Sequence, residues 1–269
     1  PDGLFNPGKI VDPPRMDDRS LFRYGPEYLD GKRSTQLDWS TWGGFSGAVE
    51  MCNNNGACRK QDAAVMCPSF RATGDETHST RGRANTLRLA LTGQLGPNAF
   101  TSSEMAESMS LCVGCKACKR ECPTGVDMAR MKLELQASQT AAHGLDMGQR
   151  LVAYLPRYAP MIGGIGPLLN AVQKLPGAAL CIESLTGFTR HRRLPRWRKS
   201  KYLNSITQAG PVDGQAVVVL LDTFSRWFEP ENGEALIDVL AAAGCRVHVA
   251  GADDKRPLYC GRTFLAAGL

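Results

Sequence analysis

Ten cysteines lie in this 269-residue chain, and seven of them fall between Cys52 and Cys122. The densest group is Cys112, Cys115, Cys118 and Cys122, followed at once by Pro123, giving the spacing C-x2-C-x2-C-x3-C-P. Three thiolates at two-residue intervals can wrap one loop around a single iron–sulfur cube. In two-cluster proteins of this spacing the fourth cysteine, the one before proline, serves the other cluster. Structural zinc suits the run less well, because such sites join two separated pairs into a tetrahedron. A disulfide frame suits it less again, since cysteines clustered in this way point to metal and a reducing compartment.

A weaker copy of the run lies upstream. Cys52 and Cys58 match Cys112 and Cys118, Asn55 stands where Cys115 would be, and Cys67-Pro68 matches Cys122-Pro123 after five extra residues. Such self-similarity marks an internal repeat with one ligand missing. The competing reading makes Cys52 and Cys58 small buried residues. By the crossed rule, Cys112, Cys115 and Cys118 take Cys67 as their fourth ligand in one [4Fe–4S] cluster. Cys52, Cys58 and Cys122 then form a second site. Its fourth position is left to Asn55, to water or to nothing, so it holds a three-iron cluster, an unusual four-iron one, or none. If it is vacant, Cys122 completes the first cluster instead.

Three arginines follow the first copy: Arg71, Arg81 and Arg83. Cations and N–H donors near a thiolate-bound cluster raise its reduction potential. Ion pairs with Asp75 and Glu76 explain the same residues equally well. His78 reads as a hydrogen-bonded surface histidine before it reads as a ligand.

These residues need elements to hold them. Residues 1–50 read as an extended connector, with Trp39, Trp42 and Phe45 as its anchors. Leu87, Leu91 and Leu95 share a stripe in a helix expected over 84–95 and stopped by Gly96-Pro97. Thr101 to Glu104 reads as a capping box, and Asp127 as the cap of a helix carrying Met128, Met131 and Leu135. Residues 158–173 are uncharged but short and broken by proline and glycine, hence a loop or interfacial segment; no run reaches the roughly 20 apolar residues of a membrane span. Thr189 to Lys201 is the one dense basic run. It reads as a solvated linker, with anionic headgroups or an acidic partner as the alternative. From 215 an apolar strand, a helix over 231–243 with Leu236, Val239 and Leu240 inward, and a strand over 245–250 make a β-α-β unit. No Gly-x-Gly-x-x-Gly follows the first strand.

The net charge of +6 is mild and spread, so composition gives no reason to expect nucleic-acid binding. The fold class expected is an all-α, ferredoxin-like iron–sulfur module followed by the start of an α/β cysteine-rich domain. The boundaries expected are 1–45 for a connector and upstream tail, 46–145 for the helical iron–sulfur domain, 146–212 for a linker with short helices, and 213–269 for the α/β part. Without an initial Met, and ending inside a helical pattern, the chain reads as a piece of a longer polypeptide.

Cys67-Pro-Ser-Phe70, Gly74-Asp-Glu76, Ser79-Thr-Arg-Gly-Arg83 and the 112–126 run closely resemble the iron–sulfur region of FAD-linked dehydrogenases acting on D-2-hydroxy acids, the D-lactate and D-2-hydroxyglutarate type with fused iron–sulfur modules. The similarity extends, more distantly, to iron–sulfur subunits of glycolate oxidase and anaerobic glycerol-3-phosphate dehydrogenase. Pro1 to Lys9 resembles the closing segment of the flavin domain of such enzymes. Cys260-Gly261 resembles the Cys-Cys-Gly motif of heterodisulfide-reductase-like domains, with Tyr259 in place of the first cysteine. The resemblance implies that FAD and the substrate pocket lie upstream, that no catalytic residue lies here, and that electrons pass to a quinone, cytochrome or electron-transfer flavoprotein. It also implies a cytoplasmic location, at most peripheral at the inner face of a membrane.

Overall fold

A computed structural model of the chain describes residues 7–21, 26, 33–250 and 258–269. Residues 1–6, which carry most of the segment likened to a flavin-domain tail, lie outside the described residues. Two compact units divide the chain, residues 1–142 and 143–269.

The first unit is helical: α1 (Phe45–Glu50), α2 (Pro68–Thr73), α3 (Thr80–Leu91), α4 (Ser103–Ser110), α5 (Ala117–Glu121) and α6 (Met128–His143). Its core gathers Val49, Leu87, Met105, Met109, Met128, Met131 and Leu135, all essentially buried. Methionine packs irregular gaps well, as a core bordered by two cysteine loops requires.

The helix expected over 84–95 begins and ends earlier. Ser79 caps α3 by accepting the Gly82 N–H at 2.8 Å, and the chain leaves the helix at Gly93, whose φ of +78° suits glycine. Leu95 is consequently exposed. The cap of α4 is Ser102 rather than Thr101, and Glu104 falls too early to complete a capping box. Asp127 caps α6 as its sequence position suggests, accepting the Arg130 N–H at 3.1 Å.

The connector is tied down by a carboxylate that periodicity does not single out. Glu134 on α6 is buried and accepts the N–H groups of Gln36 and Leu37 at 2.9 and 2.7 Å and the Trp39 indole N–H at 2.8 Å. Trp39 packs edge-on against Phe45, and the Arg130 guanidinium lies 4.6 Å from the Trp39 ring.

The second unit holds α7 (Met147–Ile162), α8 (Gly166–Val172), α9 (Ala178–Thr186), α10 (Lys201–Ser205), β1 (Gln208–Ala209), β2 (Gln215–Val219), α11 (Thr223–Trp227), α12 (Pro230–Ala242), β3 (Cys245–Val249) and α13 (Arg262–Ala266). The sheet order is β1-β3-β2, with β2 parallel to β3 and Val217 opposite Val247. The β-α-β unit is therefore present, but its faces differ from expectation. Ile237 and Gly233 of α12 face inward, whereas Leu236 and Val239 are exposed. Gly233 lets the helix approach, since a Cβ there would lie 2.9 Å from the Leu221 side chain. Val218 is exposed, so β2 is covered on one face only.

Residues 158–173 are not a loop. α7 starts from an Asp146/Gln149 capping box and runs through Pro156 and Pro160, and α8 follows after one 3-10 turn. Each proline forfeits one helical hydrogen bond. Packing of Ala153 and Ala159, both fully buried, offsets the loss.

Glu134→Ala removes the acceptor of three N–H groups, the buried Trp39 indole N–H and those of Gln36 and Leu37, whose bonds are half-buried. Stability should fall by about 3 kcal/mol, read from the urea midpoint; a change within about 0.5 kcal/mol, ordinary for surface positions, would show that the clamp does not anchor the connector.

Candidate metal centre

The two cysteine loops share a backbone. In the second loop Gly114 and Lys116 take left-handed φ values of +65° and +60°, two and four residues after Cys112. In the first loop Asn54 and Gly56 do the same, at +63° and +77°, two and four residues after Cys52. Left-handed residues at alternate positions turn a short loop so that its side chains converge. The repeat read from the cysteines is thus a repeat of conformation. It persists where the ligand does not: Asn55 is exposed, and its side chain is spent locally, accepting the Ala57 N–H at 2.9 Å and donating to Asn53.

α3 holds the first loop on one stripe and Cys67 on another. On one, the Arg81 N–H points to Cys58 Sγ at 3.4 Å, the Asn85 amide donates to Asn54 at 2.9 Å, and the Arg88 guanidinium donates to the Cys52 carbonyl at 2.9 Å. Residues 81, 85 and 88 stack on one helical face. On the other, the Thr80 N–H donates to Cys67 Sγ at 3.0 Å, and Arg83 donates to the Ser108 carbonyl at 2.8 Å and the Ser69 hydroxyl at 3.1 Å, with Nη1 4.0 Å from Cys67 Sγ.

Cys67 reaches the second loop although 45 residues separate it from Cys112 in the sequence. Glu121 at the end of α5 accepts the Val65 and Met66 N–H groups at 3.3 and 2.7 Å and draws the Cys67-Pro68 turn in. Cys67 itself takes φ +57° as it leads into α2. A cavity results whose wall includes Cys67, Cys112, Cys115 and Cys118, with Thr80 and Arg83 beside them. Cys52, Cys58 and Cys122 are not on that wall.

The donor set fits a cluster better than a single ion. Thiolates around one zinc at about 2.3 Å would converge on a point. Here the four cysteines line one small cavity, and among the described residues no group of three His, Cys, Asp or Glu side chains could share one ion. The surroundings also favour an anionic occupant. Arg83 is 1% exposed, and no carboxylate pairs with it among the described residues. A buried cation is costly unless an opposite charge meets it. Lys132 adds a second cation, its ammonium donating to the Cys112 carbonyl at 2.6 Å.

The remaining cysteines differ in environment. Burial pushes the Cys58 and Cys118 thiols up. Burial opposes the Cys122 thiolate too, but the Thr124 hydroxyl and the N–H groups of Val126, Thr124 and Gly125 outweigh it and hold the thiol below its usual range. Donors of this kind stabilise a thiolate ligand.

The three arginines separate. Arg83 stands against Cys67. Arg81 offers Cys58 its backbone N–H while its side chain pairs with Glu76 at 2.7 Å. Arg71 donates to the Met66 and Asp62 carbonyls and lies 3.6 Å from the Asp62 carboxylate; it pairs with neither Asp75 nor Glu76, and no thiol is among its partners. His78 is half-buried rather than a bonded surface residue: its Nδ1 is buried without a partner among the described residues, and its carbonyl accepts the Ser69 hydroxyl at 2.7 Å. Arg88 and Glu121 carry no cysteine-like signature. Only their positions on helices beside the loops could have marked them.

Residues 48–126 match the family described as 4Fe-4S dicluster domain. Over 99% of its length the chain is 25% identical to a D-2-hydroxyglutarate dehydrogenase of Pseudomonas putida, of which it covers 31%. It is 27% identical over 66% of its length to the protein of that name from Pantoea ananatis, covering 20% of it. Over 32% of its length it is 34% identical to a "Probable glycolate oxidase iron-sulfur subunit" of Bacillus subtilis, covering 19% of it. The chain therefore spans at most about a third of these curated relatives. No solved structure gives a significant match. These relatives fit the resemblance read from the cysteine runs.

The shared wall makes Cys67 a test of the crossed arrangement. If the crossed arrangement holds, Cys67→Ser should damage the cluster expected at Cys112, Cys115 and Cys118, lowering the iron content and altering that cluster's EPR signal. A variant with unchanged iron and spectrum would show that Cys122 closes that site.

Proposed function

We propose that this chain is the iron–sulfur electron-transfer portion of a flavin-dependent 2-hydroxyacid dehydrogenase. The observation that carries the reading is the cavity where Cys67 meets Cys112, Cys115 and Cys118 beside a buried, carboxylate-free Arg83. Those four cysteines are the ligand set of one [4Fe–4S] cluster, and Cys52, Cys58 and Cys122 are that of a second. Bound clusters supply one-electron steps between a two-electron flavin and a downstream acceptor. The chain's own residues supply the scaffold. α3 holds the first loop on one stripe and Cys67 on the other, and the N–H groups of Thr80, Arg81 and the 124–126 turn face thiols, where they stabilise the anionic form.

FAD and the substrate pocket belong to an upstream domain of the same polypeptide, and no catalytic residue is assigned here. The acceptor is a quinone, cytochrome or electron-transfer flavoprotein. Residues 46–145 are the ferredoxin-like helical domain, residues 1–45 its connector, and 213–269 the start of the α/β cysteine-rich domain. Among the described residues no helix is long and apolar enough to cross a membrane.

Full-length protein prepared without oxygen should carry about eight irons, two cubes of four; about four would leave the Cys52 site without a cluster. Addition of a D-2-hydroxy acid should bleach the visible absorbance and develop reduced-cluster EPR signals. Turnover that leaves the clusters oxidised would remove the relay role.

Arg83→Gln should lower the midpoint potential of the Cys67 cluster in an EPR-monitored titration and leave the other unshifted, because a nearby cation favours the more negative, reduced state. An unmoved potential would assign Arg83 to packing alone.

A further inference from the structure

The basic run is tied to the second unit at both ends. At its start the Arg190 N–H donates to the Glu183 carboxylate of α9 at 3.1 Å. Further on, Asn170 of α8 pins Trp197 through paired hydrogen bonds, donating to its carbonyl at 2.7 Å and accepting its N–H at 2.9 Å. The Trp197 ring packs on Phe228 with centroids 4.7 Å apart, and a Cβ at Gly166 would lie only 2.8 Å from its Cβ. Between these ties the run closes a cleft of about 450 Å³ against α8 and α9. That volume is in the range of small-molecule sites.

Two chemistries meet in the lining of this cleft. Lys174, Arg192, Arg193 and Arg196 bring positive charge, and no carboxylate is among the lining residues. The nearby Glu183 is engaged by Arg190, whose guanidinium lies 3.6 Å from it. No hydrogen bond or ion pair occupies the Arg192, Arg193 or Arg196 side chains among the described residues. Like charges gathered around a concave space repel one another and are stabilised by an anion. Guanidinium forks suit phosphate oxygens in particular, which they meet in pairs. The apolar part comes from Ile182, Phe188 and Leu194, which line the same cleft and are half-buried.

That combination narrows the occupant. A lone phosphate carries at most about two negative charges. It would leave part of the charge of Lys174 and the three arginines unanswered, and it has no surface to offer Ile182, Phe188 and Leu194. A nucleic-acid strand is held along a groove that tracks its backbone over several nucleotides, whereas these side chains gather around one space the size of a small molecule. A short chain of phosphates on an organic body matches both parts of the lining. It concentrates several negative charges within reach of neighbouring guanidiniums, and it carries a carbon framework that the apolar side chains can shield from water.

We propose that the cleft is a binding site for a small organic polyphosphate of nucleotide size, its phosphates held by Lys174, Arg192, Arg193 and Arg196 and its organic body against Ile182, Phe188 and Leu194. The site lies within the second unit, apart from the cysteine loops of the first. It does not rest on the electron-transfer reading, and its failure would leave that reading as it stands.

The test is isothermal titration calorimetry of the full-length holoprotein with ATP, pyrophosphate, inorganic phosphate and adenosine as probes. ATP should bind about tenfold more tightly than pyrophosphate, the difference expected from partial burial of its organic body, and phosphate and adenosine should bind more weakly still. The combined change Arg192→Ala, Arg193→Ala and Arg196→Ala should weaken ATP binding by about a hundredfold, the joint effect of three guanidinium contacts to phosphate, with the circular dichroism and visible spectra of the wild type retained. Ile182→Ser should weaken ATP binding by about tenfold and leave pyrophosphate binding unchanged. Absence of ATP binding, or ATP binding that either variant leaves intact, overturns the proposal. Pyrophosphate that binds as tightly as ATP overturns it as well, and makes the cleft a site for inorganic anions. A single-stranded oligonucleotide that displaces ATP at lower concentration than pyrophosphate does also overturns it, and makes the basic run a nucleic-acid surface.

Discussion

A guanidinium with almost no access to water organises the first unit. Arg83 reaches from α3 to the Ser108 carbonyl, the Ser69 hydroxyl and the edge of the Cys67 thiol. Two of these contacts join segments that the chain leaves far apart, the end of α4 before the second cysteine loop and the start of α2. The hydrogen bonds orient the guanidinium but cancel none of its charge. A charge kept out of water needs a compensating charge, and the nearest anion-forming groups are thiols. The same side chain therefore fixes tertiary geometry and sets the sign of whatever the cavity is built to hold.

The helix that presents Arg83 explains how one incomplete cysteine motif can stay folded. α3 holds the first loop through Arg81, Asn85 and Arg88, a stripe that contacts backbone, an asparagine amide and one thiol. Those contacts depend on the left-handed turns at Asn54 and Gly56, not on a ligand at position 55. Asn55 suits the turn for its own reason, since its side chain hydrogen-bonds the backbone two residues on, as turn asparagines do. The first loop thus keeps the turn conformation of the second with Asn55 in place of a cysteine.

Much of this was legible in the residues, and for a local reason. Cysteine spacing reports loop geometry within a few residues, so the two runs and the Cys-Pro endings could be paired without coordinates. Asp127 as a cap and Met128, Met131 and Leu135 as a buried face were legible for the same reason. What escaped depended on partners distant in sequence. Glu134 looks like any helical surface glutamate until Trp39 folds over it. Leu236 and Val239 look buried on a helix whose inner face is in fact set by Gly233 and Ile237. Pro156 and Pro160 read as breaks, because the buried packing of Ala153 and Ala159 that outweighs them is not a local property. The hydrogen bonds that hold Trp197 within the basic run were not legible because Asn170 is 27 residues away.

On the proposed ligand sets the two sites are electrostatically unequal, although one helix serves both. Near Cys58 the Arg81 side chain is answered by Glu76, which Arg59 also approaches at 3.2 Å, so the cation there lies within an ion-pair network and is partly open to solvent. Near Cys67 the arginine is buried and unanswered, and Lys132 stands by the Cys112 carbonyl. Coulomb energies grow as water is excluded, so equal formal charges act more strongly at the Cys67 site. Added electron density is better tolerated there, and a relay that crosses both sites would run downhill toward Cys67 from the loop that lacks a ligand. N–H donors do not reverse this ordering by themselves, because thiols on both sides receive them. The difference rests on which arginine has a carboxylate.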